Sequence, residues 1–251
     1  MIGSKILSFE NLTSTNTYAS GLLRTETVGE GTIIRASYQW GGRGQSGNAW
    51  ESEAGKNLLI SIILYPVTIS PADQFLISMA ISLGICDFLE KEIPGCKIKW
   101  PNDIYVKNDK IAGILIENSV MDNRLVSSIA GIGLNINQRK FTGNAPNPVS
   151  LSILTGKEYN TDICLSELSM AIDKRYYHLI AGESEMIRND YKSRLYRINE
   201  WSGFRDKDGT FKGRILSVNE YGMLIIEQGG GIIKEFAFKE VDFIHEDHSN
   251  P

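Results

Sequence analysis

Gly41-Gly42-Arg43-Gly44-Gln45-Ser46-Gly47-Asn48-Ala49-Trp50 is the stretch on which the choice of fold turns. An apolar strand candidate, Thr32 to Tyr38, runs straight into it. Glycine has no side chain and tolerates positive φ, so such a loop can fold its amides around an anion. Arg43 adds a planar fork suited to a carboxylate or phosphate. Gly42-Arg43-Gly44-Gln45-Ser46-Gly47 spells G-x-G-x-x-G, but a dinucleotide fold needs a helix opening on the last glycine and an acid ending the next strand. Here Asn48-Ala49-Trp50-Glu51-Ser52-Glu53-Ala54-Gly55 reads as more loop, and the next strand, Leu58 to Leu64, ends in Tyr65-Pro66. Asn48 stands where a Walker A loop requires lysine, and it also spoils the G-x-S-x-G elbow of serine hydrolases. The doubly wound folds are thereby set aside. An anion-holding loop and a mobile glycine-rich surface loop both remain open.

Working outward, Ile6 to Phe9 reads as a first strand, and Ser14 offers an N-cap for a helix to about Arg24. Leu58 to Leu64 is an almost continuous apolar run, the mark of a strand covered on both faces. Ser70-Pro71-Ala72-Asp73 starts a helix with a capping serine, proline at the first position and an acid in the first turn. That helix runs to about Glu92, is apolar over most of its girth and is expected at the centre of the core. A meander follows: Lys97 to Trp100, Ile104 to Val106, Ile111 to Glu117 and Leu125 to Leu134, with turns at Lys107-Asn108-Asp109 and Met121-Asp122-Asn123. Residues 138–150 read as loop, and helices are expected at Asp162 to Ala181 and Glu185 to Arg197. From Trp201 the pattern becomes short strands between turn clusters: Thr210 to Val218, Met223 to Glu227, Ile232 to Ala237 and Val241 to Ile244. Two domains are expected, 1–200 and a small β module, 201–251.

Composition narrows the class. With 251 residues, 42% hydrophobic, 22% charged and net charge −4, the chain is a globular protein with a sizeable core. The negative balance argues against a nucleic-acid surface over the whole molecule. The three cysteines Cys86, Cys96 and Cys164 are widely spaced, and Cys86 and Cys164 read as core thiols in a reducing compartment. His178, His245 and His248 form no ligand motif. The N-terminus lacks the apolar core of a signal peptide, and no run is long enough to span a bilayer, so a cytoplasmic protein without membrane contact is expected.

Three further motifs carry chemistry. Lys99-Trp100-Pro101-Asn102-Asp103 is polar and rigid where a strand should turn: Pro101 sets its own φ and holds Trp100 extended. It reads either as a simple β-turn or as a device presenting Asn102 and Asp103 in a fixed direction. Lys110-Ile111-Ala112-Gly113-Ile114-Leu115-Ile116-Glu117 puts a lysine at the mouth of an apolar strand, where solvated strand ends also put lysines. Gly133-Leu134-Asn135-Ile136-Asn137 ends the next strand with two amides.

In this order, together with Ser14-Thr15-Asn16, Gln39 and Trp50, these motifs resemble the biotin–protein ligases, in the form lacking an N-terminal helix-turn-helix domain. The match runs over residues 9–137 and is loose over residues 138–200. The resemblance implies an α+β fold: a class II aminoacyl-tRNA synthetase/biotin synthetase-like catalytic domain, with a mixed sheet flanked by helices, followed by a small SH3-like β-barrel. It also implies activation of biotin by ATP to biotinyl-5'-adenylate, with Mg2+, and transfer to a lysine of the biotin carboxyl carrier protein of acetyl-CoA carboxylase or a related carboxylase. The implied biotin contacts are Ser14, Thr15, Asn16, Gln39, Gly42, Arg43, Gly44, Gln45 and Lys110. Arg43, Trp50, Asn102 and Asn135 fall on the nucleotide, and Arg43, Lys110 and Asp103 carry the chemistry, with no metal ligands named. The physical need is plain: two anions, carboxylate and phosphate, must meet, so fixed positive charge must offset their repulsion. Many bacterial relatives carry more arginines in the glycine loop, whereas this chain has Gln45 and Asn48. The first strand begins near residue 6, leaving no space before it for a DNA-reading domain, and no DNA binding is expected. A homodimer through an exposed sheet stays open. Two rival readings are a lipoate or octanoate ligase or transferase and a non-catalytic biotin or nucleotide sensor.

Overall fold

The computed structural model describes residues 1–143 and 146–244. His245 and His248 lie outside the described residues. The first half is a seven-stranded mixed sheet built from β1 (Ile6–Leu12), β2 (Ile33–Gln39), β3 (Leu58–Leu64), β4 (Cys96–Lys99), β5 (Asp103–Val106), β6 (Asp109–Met121) and β7 (Arg124–Leu134). Its spatial order is β1-β2-β3-β7-β6-β5-β4. Only β1 and β2 run parallel; the remaining pairs are antiparallel. All seven side chains of β3 are buried, as its unbroken apolar run requires of a central strand.

Helix α1 (Thr15–Thr25) is capped by Ser14, whose hydroxyl accepts from Thr17 N. The core helix α2 (Phe75–Leu89) starts after a single 3-10 turn, Pro71–Asp73, with Ser70 Oγ accepting from Asp73 N at 3.2 Å. It stops at Leu89, earlier than the expected Glu92. Pro71–Leu89 is the one helix among the described residues long and apolar enough to cross a membrane, and it is mostly buried inside the protein. It packs against α4 (Thr161–Ile180) so closely that a Cβ on Gly84 would sit 2.7 Å from Ile172 Cα.

Three local expectations are corrected. A short helix, α3 (Leu151–Thr155), follows the loop; Ser150 caps it and Gly156, at φ 75°, ends it. The last helix, α5, spans only Ser184–Ser193. It cannot reach Arg197, because residues 194–196 pair with β4: Ile98 N donates to Arg194 O and Tyr196 N to Ile98 O, both at 2.8 Å. That exchange covers the outer edge of β4. Finally, Trp201–Asp206 is a strand, β8, whose Ser202 and Phe204 alternate inward.

β8, β9 (Gly209–Val218), β10 (Leu224–Gln228), β11 (Ile232–Phe236) and β12 (Asp242–Phe243) make a five-stranded antiparallel sheet. Its inner residues Phe204, Ile215, Leu224 and Phe236 join the same hydrophobic core as α2 and β4. Trp100 is the hinge pin: its indole N–H donates to Gly222 O at 2.8 Å, and its ring packs on Phe238 with centroids 5.3 Å apart.

Candidate functional site

A cavity of about 670 Å³ opens where the N-terminal half of β6, the C-terminal end of β7, the start of α1, the glycine-rich loop and the turn after β4 converge. Residues 238–243 of the second sheet contribute a wall through Phe238, Lys239 and Phe243.

At one end sit the hydroxyls and amides. Thr15 N donates to Gln39 Oε1 at 2.6 Å. Ser61 Oγ lies 2.7 Å from Thr15 Oγ1 and 2.6 Å from Asn16 Oδ1. A hydroxyl has one proton, so Ser61 donates to the amide oxygen and accepts from Thr15. Asn16 Nδ2 donates to Leu115 O at 3.2 Å and to Glu117 Oε2 at 2.8 Å. Gly131 lies directly beneath, where a Cβ would come 2.4 Å from Asn16 Oδ1. Ser14, Thr15 and Asn16 are all nearly inaccessible, and burying so many polar groups is tolerable only because they satisfy one another.

The cations line the same cavity, and Glu117 Oε2 joins Arg43 to Asn16. Arg43 Nη2 pairs with Glu117 Oε2 at 3.0 Å, both side chains partly exposed. Lys110 Nζ pairs with Asp103 Oδ1 at 2.6 Å, both mostly buried. The Lys110 main chain is gripped on both sides, N to Asn147 O at 2.8 Å and O to Val149 N at 2.9 Å. Beside Lys110 lies Trp50. Its ring rests on Gly113 and Gly133, where a Cβ would come within 2.9 and 2.3 Å of ring carbons, and Lys110 Nζ stands 5.7 Å from the ring centroid. The buried indole Nε1 has no hydrogen-bond partner among the described residues.

The glycine-rich loop is not loosely held. Arg43 bridges Ala49, Trp50 N donates to Gly42 O at 2.9 Å, and Gly47 takes φ 86° at the tip of a 3-10 turn, Gln45–Gly47. Two expectations change as a result. The Gly44 amide donates to Asn48 O at 2.6 Å, so it is spent inside the loop rather than offered to an anion. Gly42 is buried behind the loop and does not line the cavity; a Cβ there would be 2.6 Å from Trp50 O.

Asn102 lines the cavity with its amide tied to β6, Nδ2 donating to Ile114 O at 2.8 Å. Asn135 does not line it. It turns inward, is 3% exposed and donates to Val149 O at 3.1 Å, because the segment that supports Lys110 lies against it. The cavity thus brings together Ser14, Thr15, Asn16, Gln39, Arg43, Gly44, Gln45, Trp50, Asn102, Asp103 and Lys110, and leaves out Gly42 and Asn135.

Sequence reasoning passed over Lys99 and Glu117. Lys99 faces Asp103 across the β4–β5 turn and donates to Tyr105 Oη at 3.2 Å, with the Phe243 ring 5.2 Å away. Burial, only partly countered by Asp103, lowers its pKa to about 8. An acid at the end of the apolar run Ile111–Ile116 was the available signal for Glu117, since a charge placed there needs a partner. Lys99 had no comparable signal. Among the described residues no cluster of three or more His, Cys, Asp or Glu side chains could hold a metal ion.

A model of the biotin/lipoate A/B protein ligase family matches residues 8–143. The bifunctional ligase/repressor BirA of Bacillus subtilis is 29% identical over 247 residues, 94% of this chain and 74% of that protein. The biotin–[acetyl-CoA-carboxylase] ligase of Paracoccus denitrificans is 29% identical over 209 residues, 79% of this chain and 85% of that one. Among solved structures, the biotin protein ligase from Aquifex aeolicus in complex with biotin and ATP superposes with a TM-score of 0.79 at 25% identity, covering 97% of this chain and 100% of its own.

Proposed function

This chain belongs to the biotin/lipoate A/B protein ligase family, and from that premise we propose how its own residues divide the work. The activity is biotin–protein ligation. An oxygen of the biotin carboxylate attacks the α-phosphorus of ATP, the bond to pyrophosphate breaks, and biotinyl-5'-adenylate forms. The amine of a carrier-protein lysine then attacks the acyl carbon, AMP leaves with the anhydride oxygen, and the nitrogen gives up its proton.

The single observation that supports the residue roles is that Arg43 and Lys110, from separate segments, line one cavity together with a cluster of hydroxyls and amides. Ser14, Thr15 and Gln39 read the ureido ring, with Asn16 held at their back by Ser61 and Glu117. Arg43 and Lys110 take the carboxylate and the α-phosphate. Each cation is already paired with an acid, so substrate binding is an exchange of anions rather than the neutralisation of a bare charge. When Lys110 turns to phosphate, Asp103 is released and becomes free to accept the proton of the incoming lysine. Trp50 and Asn102 flank the nucleotide, Gln45 the biotin tail. Gly42 and Gly44 serve by letting the loop close on itself, and Asn135 by holding Val149 against Lys110.

Mg2+ would enter with ATP and would offset the charge of its phosphates. The carrier belongs to a biotin-dependent carboxylase, as the name of the Paracoccus relative suggests. Residues 1–200 form the catalytic part and 201–251 a module that supplies one cavity wall. A lipoate-specific pocket would have little use for the buried hydroxyl and amide cluster. The test is mass spectrometry of a carrier domain incubated with the enzyme, ATP, Mg2+ and either biotin or lipoate. Modification with lipoate and not biotin would overturn the assignment.

A further inference from the structure

Helix α4 turns one face inward, where Cys164, Leu165, Leu168, Ile172 and Leu179 join the core. Its outer face is apolar along a line: Ile163, Met170 and Tyr177 are 60%, 59% and 64% exposed. They recur every seven residues, two helical turns with a drift of only about 20°, so they stand nearly in a row over about 21 Å. Glu167 and Lys174, four residues after Ile163 and Met170, border the row on one flank. Ser166 and Asp173, three residues after the same two, border the other. Lys91 Nζ stands 3.5 Å from Glu167 Oε2, and Asp173 Oδ1 accepts from Ile2 N at 2.6 Å, so each carboxylate is steadied and keeps a second oxygen to offer. None of these border or row residues lines the cavity. An exposed apolar row rimmed by polar groups is the form of a contact surface.

The surface is complementary to itself. A two-fold axis at Met170 turns a second α4 antiparallel and sets residues equally far before and after Met170 opposite one another. Met170 then meets its own copy, and Ile163 meets Tyr177 of the second copy at each end of the row. Because such an axis lies in the interface, like flanks stay together. Lys174 therefore lands beside Glu167 of the second copy, and Ser166 beside Asp173, once on each side of the axis. Each cation faces an acid and each hydroxyl an acceptor, and the two helix dipoles oppose. The geometry points to a second copy of this chain as the partner of the α4 face, in an antiparallel pair centred on Met170. The contact is independent of the reaction assigned to the cavity. The side chains involved are fewer than the roughly 20–30 a side of a stable interface, so the pair forms and parts with concentration.

Sedimentation velocity of the full chain over a concentration series tests the pairing, with circular dichroism to show that each variant is folded. The parental protein is expected to pass from one copy to two as concentration rises. Met170→Lys sets two ammonium groups against each other on the axis and should weaken association about tenfold or more. Lys174→Glu and Glu167→Lys each set like charges side by side and should weaken it roughly fivefold. The Lys174→Glu/Glu167→Lys double variant exchanges the two charges and should return association to the parental level. A parental chain that stays single at every concentration, a dimer indifferent to Met170→Lys, or a double variant no better than the single ones would overturn the pairing. So would a raised KM for the carrier domain in Met170→Lys beside a parental chain that never self-associates, which would give the face to the carrier.

Discussion

Gly133→Ala is the sharpest probe of how the cavity is built. Gly133 lies in β7, and its missing side chain is the seat of the Trp50 ring. An alanine Cβ would stand 2.3 Å from Trp50 Cε2 and 2.6 Å from Cζ2. Carbon atoms settle at about 3.5–4.0 Å, so the ring must retreat by more than ~1 Å. It has little freedom to do so: Trp50 N is bonded to Gly42 O, Gly113 supports the other edge of the ring, and Lys110 stands over it. Strand β7 cannot yield either, because it is paired with β3 on one side and β6 on the other. The expected cost is that of overpacking, about 1–3 kcal/mol, or roughly 2–4 °C of Tm for each kcal/mol in a chain of this size. Thermal unfolding measures that cost, and tryptophan emission reports the displaced ring. Because Trp50 flanks the proposed nucleotide position, KM for ATP should rise more than KM for biotin. The partner experiment is Trp50→Ala, which empties the seat: in that background Gly133→Ala should cost almost nothing. A Gly133→Ala protein with parental Tm and emission, or the same penalty with Trp50 already removed, would refute the packing argument.

Other outcomes follow from the charges. Arg43→Ala or Lys110→Ala should slow pyrophosphate release from biotin plus ATP by about 10²–10³, the usual cost of one charge-stabilising donor; a parental rate in either would remove that residue from the chemistry. Asp87 sits between Arg175 (Nε at 2.5 Å) and Arg194 (2.8 Å), and Arg175 also holds Asp190 at 2.5 Å, tying α2, α4 and α5 together. Burial is the largest single influence and pushes the Asp87 pKa up, but the two guanidinium groups outweigh it and hold it below the ordinary value. The stabilisation is therefore complete above the unfolded carboxylate pKa of about 3.9 and is lost as pH falls through the lower folded value. Asp87→Asn should cost about 2 kcal/mol in urea unfolding at pH 7 and flatten the loss of stability below pH 4, and an unchanged acid limb would contradict this. Trp100→Phe keeps the ring against Phe238 but strands Gly222 O, so Tm should fall by the equivalent of about 1–2 kcal/mol; no change would mean the indole bond adds nothing to the joint between the sheets.

Much of the site was legible because its signals are local. The apolar run of β3, the Ser70 start of the core helix and the rigid turn at Pro101 follow from side-chain alternation, capping and fixed φ, which neighbouring residues settle among themselves. The inward turn of Asn135 was not legible: strand-end amides look alike in sequence, and only the segment from Asn147 to Val149, folded back onto Lys110, decides which one is buried. The shortened α5 has the same origin, since β4 competes for residues that helical pattern alone assigns to the helix.

Fold class and family were thus legible in the order of residues alone, which also singled out Arg43 and Lys110 as the candidate cations. What waited for tertiary structure was the partnership of each charge: Arg43 with Glu117, Lys110 with Asp103, Glu51 with Thr142 and Gly143. The reason is range. Steric and capping preferences act over a few bonds and leave a mark in sequence, whereas a hydrogen bond or ion pair between distant segments exists only once the sheet has brought them within about 3 Å.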